Sequence, residues 1–269
     1  MELGNLGKEL RGLGFPTAIT TDASLRESLQ VPSLVEPVKL DGAFVAHPEL
    51  WSAEVTINRY VRGLMVRPQG KKPKLDMNPL LTDEQRKAVE NAAGPVSVVT
   101  GGPGHGKTFT IQAIVEALGE SKVLLCAPTG KAAKRITEAT GFEAQTLHSL
   151  LATSRDGDPR SPKTLLVDEA SMVSVDLLAE VLDTVRPGRL ILVGDVDQLP
   201  AVGPGRVLGD MIDSGLVPVT RLTKVQRQAA DSQIVLNAER IQQGQPLQAD
   251  PTKGDFFITR ADPSRHLEL

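Results

Sequence analysis

The sequence predicts an α/β fold: a parallel sheet with helices on both faces, preceded by a small, mostly helical N-terminal module. Three observations carry this reading. Four near-continuous apolar runs, PVSVVT (95–100), KVLLCA (122–127), TLLVD (164–168) and RLILVG (189–194), alternate with stretches of helical period. Strands that are apolar along their whole length are buried on both sides, which places helices above and below a parallel sheet. The glycine-rich stretch TGGPGHGKTFT (100–110) lies between the first run and the helical GKTFTIQAIVEAL, giving the order strand, glycine loop, helix. A chain of 269 residues with 40% hydrophobic content can also fill one large core, or a main core with a smaller companion.

Before these runs, HPELWSAEVTINRYVRGLM (47–65) sets Pro48 at a first helical position and Leu50, Ile57, Val61 and Leu64 along one helical face. Further upstream, LRESLQ reads as a short helix and VKLDGAFVAH as a hairpin around Asp41-Gly42. The segment RPQGKKPKLDMNP (67–79) holds three prolines, one glycine and four positive charges, the composition of an exposed connection. The expected organisation is therefore an N-terminal α+β module at 1–66, a linker at 67–79 and the main domain at 80–245. Residues 246–269 are a tail or the start of a further domain.

Bulk charge excludes little and suggests less. A net charge of -3 and a pI near 5.9 give no global attraction to polyanions, so such a site must be a local cluster of Lys and Arg. The single cysteine, Cys126, rules out an internal disulfide and fits a buried thiol in a reducing compartment. The N-terminus lacks the apolar core of a signal peptide, and no apolar run approaches membrane-spanning length. A cytoplasmic protein without membrane contact is expected.

The glycine loop supplies the first chemistry. Gly101, Gly102, Gly104 and Gly106 let backbone amides turn inward, and the helix that follows adds its positive N-terminal end, so main chain holds phosphates. Lys107 then reaches the terminal phosphates, and Thr108 presents a hydroxyl to Mg²⁺. Gly102, Gly104, His105, Gly106, Lys107, Thr108 and Phe109 form the expected nucleotide-binding set, with His105 at a free position of the motif. A loop of this kind needs an acid for its metal, and TLLVDEASM provides one at a strand end. Asp168 suits Mg²⁺, directly or through water, and Glu169 suits activation of the attacking water.

Three further stretches read in two ways. Asp195 and Asp197 of ILVGDVDQLPAVGPG are ordinary turn formers, while the Gln198 amide suits a γ-phosphate oxygen or a water. In LLTDEQRKAVENAAG, Thr82 and Gln85 have capping-box spacing, and the Gln85 amide equally suits an adenine edge. Lys131, Lys134 and Arg135 fall at i, i+3 and i+4, either a solvated helix face or a grip on phosphodiesters.

Taken in order, LTDEQRKAV, TGGPGHGKT, CAPTGKAAKR, TLHSLL, LLVDEASMV, LVGDVDQLPAVGPG and LTKVQRQA resemble the first motor domain of superfamily 1 DNA helicases of the RecD type, across about residues 80 to 245. The resemblance implies a RecA-like P-loop NTPase fold that binds and hydrolyses ATP with Mg²⁺. It implies that Gln85 contacts adenine, that Lys107, Thr108 and Asp168 serve phosphate and metal, and that Glu169 serves the water. Gln198 then senses the γ-phosphate, and Arg227 stabilises transition-state charge on it. Pro128, Thr129, Gly130, Lys131, Lys134 and Arg135, with Thr146 and His148, line the path of single-stranded DNA, along which the family moves 5′ to 3′.

Two departures bear on activity. The family's second motor domain is expected after residue 245, which implies a continuation or a second subunit acting in trans. The stretch ATSRDGDPRSPKT is also shorter than the insertion that carries the family's strand-splitting pin. The rival reading is a non-motor module that binds nucleotide and docks on DNA or a partner without turnover, against which Glu169 speaks. A conjugative relaxase needs a nucleophilic Tyr beside a His cluster, whereas Tyr60 is the lone tyrosine and the four histidines are scattered.

Overall fold

A computed structural model describes residues 48–67, 75, 77–155, 164–199, 201–224, 232–249 and 255–258. The elements in chain order are α1 (Pro48–Val66), α2 (Asp83–Ala92), β1 (Val96–Gly101), α3 (Lys107–Leu118), β2 (Val123–Ala127), α4 (Gly130–Thr140), β3 (Ala144–Thr146) and α5 (Leu147–Arg155). They continue with β4 (Thr164–Val167), α6 (Val175–Val185), β5 (Leu190–Gly194), α7 (Val207–Asp213), β6 (Val219–Leu222) and α8 (Gln233–Gln242).

The six strands form one parallel sheet in the order β3-β2-β4-β5-β1-β6. The four apolar runs of the sequence are its four inner strands, and every residue of β4 and β5 is buried. Alternate residues feed two cores. Val96, Val98, Leu190 and Leu192 join the layer formed by α1, α5, α6 and α7. Val99, Ile191 and Val193 join the layer formed by α2, α3 and α4. The strand period of two therefore divides one sheet between two helical layers, as expected for buried parallel strands.

Helix α1 presents Ile57, Val61 and Leu64 inward on the predicted face, while Leu50 is only partly buried. These side chains enter the same core as the sheet, and the Tyr60 hydroxyl donates to the carbonyl of Pro187 at 2.7 Å. The expected connection at 67–79 thus does not separate two cores, because the apolar stripe of α1 is satisfied by α6 of the main domain. The predicted hairpin at Asp41-Gly42, the helix LRESLQ and most of that connection lie outside the described residues. Among the described residues, no helix is long and apolar enough to cross a membrane.

Candidate nucleotide site

All six strands run the same way, so their carboxyl ends share one edge, where ligands collect in open α/β sheets. The registers bring Thr100 beside Gly194, Gly101 beside Leu222, and Cys126 beside Val167. The glycine loop, Asp168 and Asp195 therefore emerge together.

Gly104 and Gly106 adopt left-handed backbone, with φ of 76° and 79°, a conformation that side chains resist. Gly106 precedes α3 and no side chain caps that helix, so its first amides remain available to an anion. The His105 ring covers Gly102, where a Cβ would sit 2.9 Å from Cε1. His105 Nδ1 lies 3.0 Å from the Pro103 carbonyl, a hydrogen bond in the tautomer that places the proton on this nitrogen. Thr108 is partly buried one residue into α3, and Phe109 packs against the second core.

The Lys107 ammonium folds back over the loop and donates to the carbonyls of Gly101 and Gly102, the latter at 3.1 Å. Burial holds its pKa below the usual lysine value, opposed by the negative charges of Asp195, Glu169 and Asp168. Burial pushes the Asp168 carboxyl up to about 6; the neighbouring Glu169 charge adds to this, while a backbone hydrogen bond and the Lys107 and Arg135 charges oppose it. One desolvated cation thus faces three acids.

Glu169 has a φ of 51° and a ψ of 40°, left-handed backbone that costs a non-glycine residue about 1 kcal/mol or more. Its Oε1 lies 3.8 Å from Arg135 Nη1, and its Oε2 is buried without a hydrogen bond. Asp195, which the sequence offers only as a turn former, is 1% exposed. Its Oδ1 accepts from the Asp197 amide at 3.1 Å, and its Oδ2 is buried and unpartnered. The signal in the sequence is an acid placed directly after an unbroken apolar strand. Gln198 is exposed, and its backbone amide donates to the Asp195 carbonyl at 3.2 Å. Gly194 lets the Ala170–Met172 turn approach, since a Cβ there would sit 3.1 Å from the Ala170 amide.

Gln85 unites its two readings. Its Oε1 accepts from the Thr82 amide at 3.0 Å and its own amide donates to Thr82 Oγ1 at 3.3 Å, completing the capping box. Its Nε2 is nonetheless buried and unpartnered. The adjacent Glu84 accepts from the Thr223 hydroxyl at 2.6 Å and the Thr223 amide at 2.8 Å, tying α2 to the end of β6. Burial raises the Glu84 pKa, but these hydrogen bonds outweigh it and hold the group below the usual glutamate value. A hollow of about 240 Å³ between loop and β6 is lined by Gly101, Gly102, His105, Asp195, Arg221 and Thr223. Arg227 lies outside the described residues.

The expected DNA-lining residues gather at the same edge. Pairing of Ala127 with Thr146 sets Thr146 beside Pro128, which is partly buried. Thr129 caps α4 by accepting from the Ala132 amide at 3.2 Å, and Thr146 accepts from the Ser149 amide at 3.0 Å. Gly130, Lys131, Lys134, Arg135 and His148 are exposed, and Lys134 pairs with Glu138 at 3.8 Å.

The orphaned Glu169 and Asp195 oxygens and the raised Asp168 carboxyl fit a divalent cation arriving with phosphates. Among the described residues no group of three or more His, Cys, Asp or Glu could hold a metal unaided.

The profile of the AAA domain family matches residues 80–260. Among curated relatives, the chain is 42% identical over 196 residues to the ATP-dependent RecD2 DNA helicase of Deinococcus radiodurans, covering 68% of this chain and 26% of that protein. It is 37% identical over 240 residues to the RecBCD enzyme subunit RecD of Mycobacterium tuberculosis, covering 75% of this chain and 41% of the relative. The chain therefore spans less than half the length of either relative. Among solved structures, the Pif1 helicase from Candida albicans aligns with 20% identity and a TM-score of 0.48, over 65% of this chain and 46% of that one. With the matched family spanning most of the chain, the chain belongs to the AAA domain family, and over that span it is similar to helicases of the RecD kind.

Proposed function

We propose that the chain is the ATP-binding and hydrolysing motor domain of a RecD-like helicase acting 5′ to 3′ on single-stranded DNA. The observation that carries this reading is the meeting of Lys107 with Asp168, Glu169 and Asp195 at one partly desolvated edge. Phosphates take the uncapped amides of α3 and the Lys107 ammonium, which leaves the Gly101 and Gly102 carbonyls to reach them. Mg²⁺, held by Thr108 and Asp168 with the phosphates, would supply neutralisation of developing phosphoryl charge.

Glu169 accepts a proton from the attacking water or orients it, and its fixed backbone keeps the carboxylate at the edge. The free Gln85 Nε2 donates to the adenine edge, Gln198 reports the γ-phosphate, and Arg227 stabilises charge on it. Single-stranded DNA crosses Pro128 to Arg135, Thr146 and His148. Binding is backbone-led, because 3% aromatic content leaves few platforms on which bases could stack. A second motor domain, wherever it is encoded, is the partner that closes over the nucleotide during duplex unwinding. Reduced Cys126 and a supply of ATP favour a cytoplasmic setting.

Calorimetry with Mg²⁺·ATP and DNA-stimulated phosphate release, each against Lys107→Ala, test the reading. Heat of binding lost in the variant, with turnover above the variant's background, is the expected result. Equal background turnover with binding retained would leave a non-motor nucleotide-binding module, and absence of binding heat in the parent chain would end the proposal.

A further inference from the structure

Helix α4 carries three exposed cations, and they differ in what they face. Lys134 pairs along its own helix with Glu138. Arg135 instead reaches the catalytic edge, with Nη1 3.8 Å from Oε1 of Glu169. The two partners are unequally exposed: the Arg135 side chain is 76% accessible and Glu169 18%. A second anion can therefore approach the guanidinium without moving the acid. At 3.8 Å the pair is an ionic contact rather than a close hydrogen bond, so another partner competes readily. The charge of Arg135 also acts on Lys107 and Asp168, which sets it within reach of the whole acid cluster.

We propose that Arg135 is a shared positioning residue: it pairs with Glu169 when no DNA is bound and passes to a phosphodiester when single-stranded DNA crosses α4, releasing Glu169 toward its water. The inference rests on the DNA path and the Glu169 role of the proposed function. Its physical basis is that a guanidinium prefers a phosphate that it meets bidentately to a single carboxylate oxygen at ionic distance. Glu169 is the more enclosed partner, 18% accessible against 76% for Arg135, so the guanidinium is the side chain with room to move outward. Leaving the pair, Glu169 has both oxygens available at the edge where the phosphate chain lies. DNA binding and readiness for hydrolysis are then linked through one side chain, and the linkage is reciprocal.

Reciprocity permits a test that requires no turnover. A labelled oligothymidylate is titrated into the full chain at low salt without nucleotide, followed by anisotropy, for the parent, Glu169→Gln, Arg135→Ala and the double variant. Removing the competing carboxylate should tighten binding about 2- to 5-fold, the size of a weak exposed pair. Arg135→Ala should weaken binding, and the double variant should match Arg135→Ala. A gain from Glu169→Gln that persists without Arg135 would show general relief of negative charge and overturn the inference, as would no gain in the parent background. Circular dichroism melts of the variants check that each is folded before the cycle is read. A parent chain that binds Mg²⁺·ATP but no oligothymidylate would sink the DNA path together with this inference. An intact cycle in a chain that binds no Mg²⁺·ATP would sink the nucleotide reading and the release of Glu169 toward a water, leaving only an exchange of Arg135 between Glu169 and phosphodiester.

Discussion

The two ends of the same sheet treat buried charge in opposite ways. At the amino edge, Arg189 donates to the Gly94 carbonyl at 2.8 Å, the Ala93 carbonyl at 3.1 Å and the Thr164 hydroxyl at 3.0 Å, joining β1, β4 and β5 from below. Burial lowers its pKa, yet its donors are engaged. At the carboxyl edge, Gln85 Nε2, Glu169 Oε2, Ser171 Oγ and Asp195 Oδ2 are buried with no hydrogen-bond partner. Of the orphans among the described residues, the Ser97 hydroxyl stands apart, within β1. Each unpartnered buried group costs about 1–3 kcal/mol, so orphans gathered at one edge mark a place whose partners come from outside. One edge is closed by the chain's own hydrogen bonds, and the other leaves polar groups for water or a ligand to meet.

The largest effects should separate the edges. Lys107→Ala is expected to weaken Mg²⁺·ATP binding about 100-fold, the loss of charge-assisted contacts to phosphate, while leaving the melting temperature of the free chain unchanged or higher. Arg189→Met should do the reverse. It strands two carbonyls and a hydroxyl and should lower unfolding free energy by about 3 kcal/mol, with little change in nucleotide affinity once folded. Chemical denaturation and calorimetry on both variants check the pair, and a fall in stability from Lys107→Ala comparable to that from Arg189→Met would erase the distinction.

Asp168→Asn sharpens the contrast at the carboxyl edge. The folded pKa of Asp168 is raised to about 6 from an ordinary value of 3.8. A raised carboxyl binds its proton more tightly in the folded state, so the stability it allows is greatest below pH 4 and declines as pH rises toward 6. At pH 7 the ionised group costs on the order of 2 kcal/mol, after allowance for its partial exposure. The neutral variant should therefore be more stable than the parent at pH 7, and the gain should shrink near pH 4. It should also lose the stabilisation that Mg²⁺·ATP gives the parent. Thermal melts across this range, with and without nucleotide, read both effects.

The same contrast explains what could be read from the sequence. Inner strands β1, β2, β4 and β5 are legible because burial on two faces demands apolar side chains throughout. The edge strands β3 and β6, AQT and VTRL, are covered on fewer sides and tolerate polar residues, so they carry no such run. The glycine loop, Lys107 and the Asp168-Glu169 pair are legible because local backbone and strand order fix them. Asp195 is not, since its meeting with Lys107 depends on β5 lying beside β1, a neighbour relation that sequence order does not give. The Arg135 and Glu169 contact depends on two crossovers in the same way, and α1 joins the main core only because α6 offers it a face.

Gln85 gives the smallest effect and divides two roles within one side chain. Its Oε1 belongs to the fold, closing the capping box with Thr82, while its Nε2 belongs with the orphans of the carboxyl edge. Thr82→Ala removes the cap alone and should cost about 1 kcal/mol of stability without altering the preference for ATP over GTP. Gln85→Leu removes both and should lose a similar cap contribution, yet reduce that preference several-fold, because the donor to the adenine edge is gone. Competition binding with the two triphosphates, set beside denaturation curves, separates the roles. If both variants lose stability and neither changes nucleotide preference, the amide nitrogen is an orphan for some reason other than adenine, and the division of this residue between fold and site is mistaken.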